Sequence, residues 1–230
     1  MQAFNTAACN AMPIYYPAAS PPAGSEIDLT DIRDGKTYKV RKLPSNTTGT
    51  TGWCWMVDNL NLQPTAANPM ILDSTNSDMT SGTYTLTTTS VTDPNVGTYC
   101  NNLNTVTFPH KCGMQYSWTA AVVGNNPSSG TVADSICPKN WRLPANNEYT
   151  TLQTALGWGG TGANVNNSPW RGLYVGYNGT VNQGANGFYW SATAYSAANA
   201  YFLYYHASGV SPSQNDRAKT TAMSLRCIAR

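Results

Sequence analysis

Apolar positions along the chain fall into short runs of two periods. Tyr149, Leu152 and Leu156 recur at spacings of three and four, with Trp158 just beyond. That lays one stripe along a helix of about two to three turns. Asn146 and Asn147 are its cap candidates, Glu148 sits in the first turn, and Gly157, Gly159 and Gly160 end it. Residues 137–144 (CPKNWRLP) read as a short strand leading into this helix, and residues 224–228 as the last strand, with Met223, Leu225 and Cys227 turned inward. Residues 200–207 alternate most clearly: Tyr201, Leu203 and Tyr205 fall on one face, Phe202, Tyr204 and His206 on the other.

The rest of the chain supplies shorter signals. Residues 27–43 read as a hairpin closed by Asp34-Gly35, a strong tight-turn pair. In 52–62, Trp53, Trp55 and Val57 alternate as a strand face does, and they are assigned to the core. Residues 116–123 predict a second short helix, cut off at Gly124. Trp170, Leu173, Tyr174, Val175 and Tyr177 predict a short strand, Asn178-Gly179 a turn, and 188–191 the start of a terminal sheet unit. Stretches 45–51, 125–132 and 208–220 read as polar loops. Residues 63–115 are irregular, with a hairpin strand suggested at 82–91, and read as a long insertion. Residues 1–26 read as an extended arm, because PIYYPAASPPAGS favours extended backbone over helix. The arm is either pinned to the body by Cys9 or a linker from an upstream anchor.

Composition narrows the function classes. Hydrophobic residues make up 41%, enough for a core, but charged residues only 10%, so Asn, Ser, Thr and Gly must keep the surface soluble. Net charge is +2 with scattered Lys and Arg, which argues against a nucleic-acid interface. The two histidines, His110 and His206, and the lack of any CxxC spacing argue against a zinc site. Six cysteines on such a chain read as three disulfides made in an oxidising compartment. No apolar run of about 18 residues is present to span a membrane. Nor does the start of the chain read as a signal peptide, so the expectation is a secreted or cell-surface protein in mature form.

The segment CPKNWRLPANNEYTTLQTALG resembles the signature of the Fibrobacter succinogenes major paralogous domain. A similar WRLP…E segment occurs in formylglycine-generating enzymes. Four further segments extend the resemblance, in order, from about residue 27 to the end: DIRDGKTYKVRKL, GWCWMVDNLNL, YSWTAA and residues 187–230. It implies an α+β, C-type-lectin-like fold of twisted antiparallel sheets, two short helices and long irregular loops, over 27–230 with the insertion at about 63–115. It implies a Cys137–Cys227 disulfide and places Tyr201, Leu203 and Tyr205 in the core, leaving Phe202, Tyr204 and His206 outward. Cys100–Cys112 then reads as a short loop staple, which leaves Cys9–Cys54.

Catalytic patterns are weak. Formylglycine chemistry needs a second low-pKa thiol near Cys227, and the chain offers none. His206, Asp216 and a serine make only a loose triad, with no nucleophile-elbow motif. Asp28, Asp31 and Asp34 crowd a turn and read as turn and cap formers rather than paired acids. The lectin calcium motifs are missing, and Gln214-Asn215-Asp216 is a distant echo of one. What remains is a surface made of Ala192, Ala194, Tyr195, Ser196, Phe202, Tyr204, His206, Ser208, Ser211, Ser213, Gln214, Asn215 and Asp216. Tyr, Ser and Asn of this kind serve antibody-like binding faces. The segment also resembles the terminal variable region of diversity-generating retroelement proteins. The expectation is a non-enzymatic binding module that takes a protein or glycan on another surface, without a cofactor. A structural surface-layer or appendage subunit is the alternative. So is the plainer reading that such residues only keep a low-charge domain soluble.

Overall fold

Asp34-Gly35 closes the first hairpin as its residues dictate. Gly35 adopts a φ of 73°. Asp31 and Asp34 each accept a backbone N–H two residues on, from Arg33 and Lys36, both at 3.0 Å. The structure, a computed structural model, describes residues 6–16, 21–104 and 111–229. His110 and the remaining residues of the arm lie outside the described residues.

Where an extended arm is predicted, the chain makes one helical turn, α1 (Thr6–Asn10). That stretch has two alanines and no proline, so nothing in it opposes a helix. β1 (Glu26–Thr30), β2 (Thr37–Pro44) and β3 (Gly52–Met56) then pair antiparallel in order. The insertion holds more structure than its composition suggests: Met70–Asp73 pairs with Thr83–Leu86, and α2 (Thr98–Leu103) carries Cys100. β4 (Gln115–Tyr116) leads into α3 (Trp118–Ala121), capped by the Ser117 hydroxyl, which accepts the Ala120 N–H at 3.3 Å. Gly124 (φ 85°) follows its last turn.

Residues 137–144 are not one strand. β5 (Ser135–Pro138) and β6 (Trp141–Arg142) flank a turn in which Asn140 takes φ 68°, and they join different sheets. α4 (Asn146–Leu156) occupies the predicted span and ends at Gly157 (φ 61°). Neither asparagine caps it. Instead Glu148 accepts the Ala145 N–H at 2.8 Å, and its carboxylate is gripped by Arg142 at 2.5 and 2.6 Å. α5 (Gly162–Asn167) follows in a stretch for which no element is predicted, and the strand predicted over 170–177 reduces to one bridge, Tyr177 to Val181.

The chain ends in β7 (Asn186–Ala194), β8 (Asn199–His206), β9 (Gly209–Ala218), β10 (Met223–Ser224) and β11 (Ile228–Ala229). Among the described residues the two largest sheets are five-stranded, in the order β1-β2-β3-β11-β6, and seven-stranded, running β9-β8-β7-β10-β4 with Val91–Thr92 at the end and Gly130–Thr131 beside β7. The fold is thus α+β, mostly antiparallel, with short helices, more of them than the two predicted.

Residues 223–228 stitch the two sheets together. Ser224 lies parallel to Tyr189 of β7 and antiparallel to Gln115 of β4. The Leu225 and Cys227 carbonyls accept N–H groups from Leu60 and Met56, both at 2.9 Å, and Ile228 pairs with Trp55 and Arg142. Because the segment runs between layers, all of 223–228 is buried and the expected inward alternation is absent. Arg226, 0% exposed, sits in its middle. Its guanidinium donates to Asn59 Oδ1 (2.8 Å), the Trp170 carbonyl and the Arg171 carbonyl (2.8 Å), and lies 4.2 Å from the Trp170 ring centroid.

All three expected disulfides form: Cys137–Cys227, Cys100–Cys112 and Cys9–Cys54, with Cα separations of 5.8, 5.7 and 6.0 Å. The first ties β5 to the stitching segment across 90 residues. Replacing both of its cysteines with alanine is predicted to cost about 4 kcal/mol of unfolding free energy. The Cys100–Cys112 pair, 12 residues apart, should cost less, about 2–3 kcal/mol. Denaturant titration of the two double variants checks the order.

Candidate functional site

The terminal sheet is covered on both faces. Tyr189, Leu203 and Tyr205 pack against Tyr149, Leu152 and Leu156 of α4. The opposite face puts Phe188, Trp190 and Phe202 into the larger core, with Trp118 and Met223. Phe202, expected to point outward, is 1% exposed, and Ala192 and Ala194 are 1% and 2% exposed. These three belong to the core rather than to a surface. The outward face of β8 opens only past Phe202, at the half-buried Tyr204 and His206.

Residues 208–220 are not a loop. Ala207 and Ser208 form a two-residue turn, after which β9 runs back along β8 as an edge strand. Tyr204 lies opposite Ser211, Phe202 opposite Gln214, and Ala200 opposite Arg217, with a register slip on each side of Phe202. One slip takes in Pro212, which has no N–H for a regular ladder.

This hairpin forms a depression of about 130 Å³, lined by Phe188, Phe202, Tyr204, Gln214, Asp216 and Arg217. Its floor is aromatic: Phe188 lies 4.9 Å from Tyr204 and 6.0 Å from Phe202, centroid to centroid. Tyr177 meets Phe188 edge-on at 5.0 Å, and the Arg217 guanidinium sits 5.0 Å from the Tyr177 centroid. The buried Nε of Arg217 has no hydrogen-bond partner, and the guanidinium makes no ion pair with a described residue. The Tyr204 hydroxyl accepts from Asn186 Nδ2 at 3.3 Å, which fixes the ring against the floor.

Of the predicted surface residues, Tyr204, Gln214 and Asp216 come together here over the buried Phe202, with Ser211 beside Tyr204. The others scatter. Ser196 accepts the Asn199 N–H at 3.0 Å and closes the β7–β8 turn, next to the exposed Tyr195. Ser208 and His206 occupy the far turn, where the Ser208 hydroxyl lies 3.4 Å from His206 Nδ1. The two turns are separated by the whole of β8, roughly 25 Å at about 3.3 Å per residue. Ser213 accepts from Asn146 Nδ2 at 2.9 Å, tying the edge strand to the start of α4, and the half-buried Asn215 does not line the depression.

His206 and Asp216 lie near opposite ends of the β8–β9 pair, roughly 15 Å apart by the same rise, so no triad is assembled. All six cysteines are committed to disulfides, and among the described residues no three of His, Cys, Asp or Glu gather around one point. Sequence reading missed Phe188, Tyr177 and Arg217. Arg217 directly follows the predicted set, but reading 208–220 as a loop hid its register opposite Ala200.

Comparison with family models, with curated proteins and with solved structures finds no match.

Core and surface residues on β8 separate by stability. Phe202→Ala is predicted to cost about 3–5 kcal/mol. His206→Ala, at the open turn, should stay within about 0.5 kcal/mol. Thermal or denaturant unfolding of the two variants checks this.

Proposed function

We propose that this chain is an extracellular, disulfide-stapled binding module with a C-type-lectin-like fold, related to the Fibrobacter succinogenes major paralogous domains, and that it is not an enzyme. The observation that carries the reading is the aromatic-floored depression with an unpaired guanidinium at its rim. Aromatic rings held by neighbouring rings offer contact area at little entropic cost. A guanidinium without an acid partner is suited to a carboxylate, which it can grip with two parallel hydrogen bonds. The depression therefore takes one carboxylate-bearing group of a protein or glycan on another surface, with Gln214 and Tyr204 alongside.

Three disulfides support an oxidising compartment. Among the described residues no helix is long and apolar enough to cross a membrane. The pairing of Arg142 with Glu148 supports the family reading, since these are the polar residues of the WRLP…E segment. If the chain is a variable protein of a diversity-generating retroelement, sister copies in the same genome differ at Tyr204, Gln214, Asp216 and Arg217 and keep Phe188 and Phe202.

The test is a panel of acidic and neutral glycans and peptides, probed with the wild-type chain and with Arg217→Ala and Tyr204→Ala. Hits on acidic members that weaken about tenfold or more in Arg217→Ala, at unchanged Tm, support the reading. Hits indifferent to both variants, or no hits, contradict it.

A further inference from the structure

A second cavity, of about 470 Å³, opens on the other side of the terminal sheet. Its Leu173 wall is held there by Tyr189 and Tyr205, which leave the sheet on the face opposite Phe188 and Tyr204. Lys39, Lys111 and Arg171 bring three cations to it, and Asp58 and Asn166 bring acceptors. The size falls within the range of small-molecule sites, about 300–1,000 Å³.

Cations outnumber acids around this cavity. Glu26 receives Arg41 and Arg171 on one carboxylate oxygen, at 2.7 and 2.9 Å, and Lys39 on the other at 3.2 Å. Lys39 also meets Asp28 at 3.0 Å. Lys39, Arg41, Lys111 and Arg171 thus stand against Glu26, Asp28 and Asp58, a surplus of one positive charge. The exposed Lys111 makes no ion pair with a described residue. Burial, and then the neighbouring Arg171, lower the affinity of Arg41 for its proton.

Arg171 is also one of the five non-glycine residues among those described that hold a positive φ. Its φ is 54°, a region that favours glycine. The main chain is locked there by its N–H to the Ser168 carbonyl (2.9 Å) and by Arg226 on its own carbonyl (2.8 Å). A long cationic side chain at such a position brings strain that its own backbone does not need.

The acceptors are likewise unspent. Asn166 Oδ1 is buried with no hydrogen-bond partner among the described residues. Asp58 uses one oxygen on the Lys39 N–H, at 2.7 Å. Surplus cations call for an anion, and acceptors with capacity left call for hydroxyls. We propose that this cavity binds a small polyhydroxy carboxylate of the size of a sugar acid: the carboxylate lies between Lys111 and Arg171, and hydroxyls donate to Asn166 and Asp58. The site is separate from the strand depression and does not depend on it.

Isothermal titration of the whole chain with glucuronate tests this, with glucose and inorganic phosphate as controls. Glucuronate is expected to bind in the millimolar range or tighter, glucose to give no heat, and phosphate to bind at least about tenfold more weakly. Lys111→Ala should weaken glucuronate about tenfold at unchanged Tm. Arg171→Gly, which suits the left-handed backbone, should also lose binding, and Arg217→Ala should keep it. No glucuronate binding, equal binding of glucose, phosphate as tight as glucuronate, or full affinity in Lys111→Ala would each overturn the proposal. Loss on Arg217→Ala with retention in Lys111→Ala assigns the ligand to the strand depression and overturns it equally.

Discussion

A full positive charge is buried where the two sheets meet, and no carboxylate among the described residues pairs with it. Arg226 is enclosed on all sides, and burying an isolated charge is expensive. The surroundings answer it with three oxygen acceptors, from Asn59, Trp170 and Arg171, and with the faces of Trp170 and Tyr189. The guanidinium suits this role because its planar fork reaches several acceptors at once and is weakly hydrated. Each acceptor belongs to a different part of the chain from Arg226 itself. The residue therefore fixes the segment after β3 and the loop after α5 relative to the stitching segment.

That arrangement explains why the strand predicted over 170–177 does not form. Many of its backbone groups are taken by side chains and turns, and among the described residues only Gly176 reaches a strand, through its N–H to the Asn186 carbonyl at 2.9 Å. Arg226 takes the Trp170 and Arg171 carbonyls, Tyr205 and Tyr189 take the Leu173 carbonyl, and the Tyr99 hydroxyl accepts the Tyr174 N–H. With these groups satisfied, the loop has no need of a ladder. The adjacent Cys227 adds a covalent tie to Cys137, and the Arg142–Glu148 pair then sets the start of α4 against the same seam. Sheet, helix and loop are held at one place, and both candidate binding surfaces lie outward of it.

Local pattern was legible wherever one residue type decides the backbone. Asp34-Gly35, Gly124 and Gly157 stop or turn the chain where glycine permits a positive φ. The stripe of Tyr149, Leu152 and Leu156 buries against one partner layer, so its period survives in the sequence. The cysteine pairs also emerged as expected. The terminal sheet was misread because alternation identifies a buried face only when the other face is wet. Here both faces of β7 and β8 carry core, so Phe202, Ala192 and Ala194 disappear inside while looking like a surface set. β9 was missed because Ser, Gln, Asn, Asp and Pro crowd an edge strand whose register slips twice, and no period is left to read. Arg226 gave no signal at all, because its acceptors come from distant segments.

Arg226 is the tie between the layers. The most direct measurement is the unfolding free energy of Arg226→Met, by denaturant titration under conditions that keep the disulfides intact. Methionine fills similar volume but leaves three acceptors without a donor, two of them buried and costing about 1–3 kcal/mol each. A loss of at least about 3 kcal/mol is predicted, with little recovery in Arg226→Lys, whose single ammonium cannot reproduce the planar fork. An Arg226→Met chain as stable as the wild type would show that an apolar seam serves equally well, and would contradict the account.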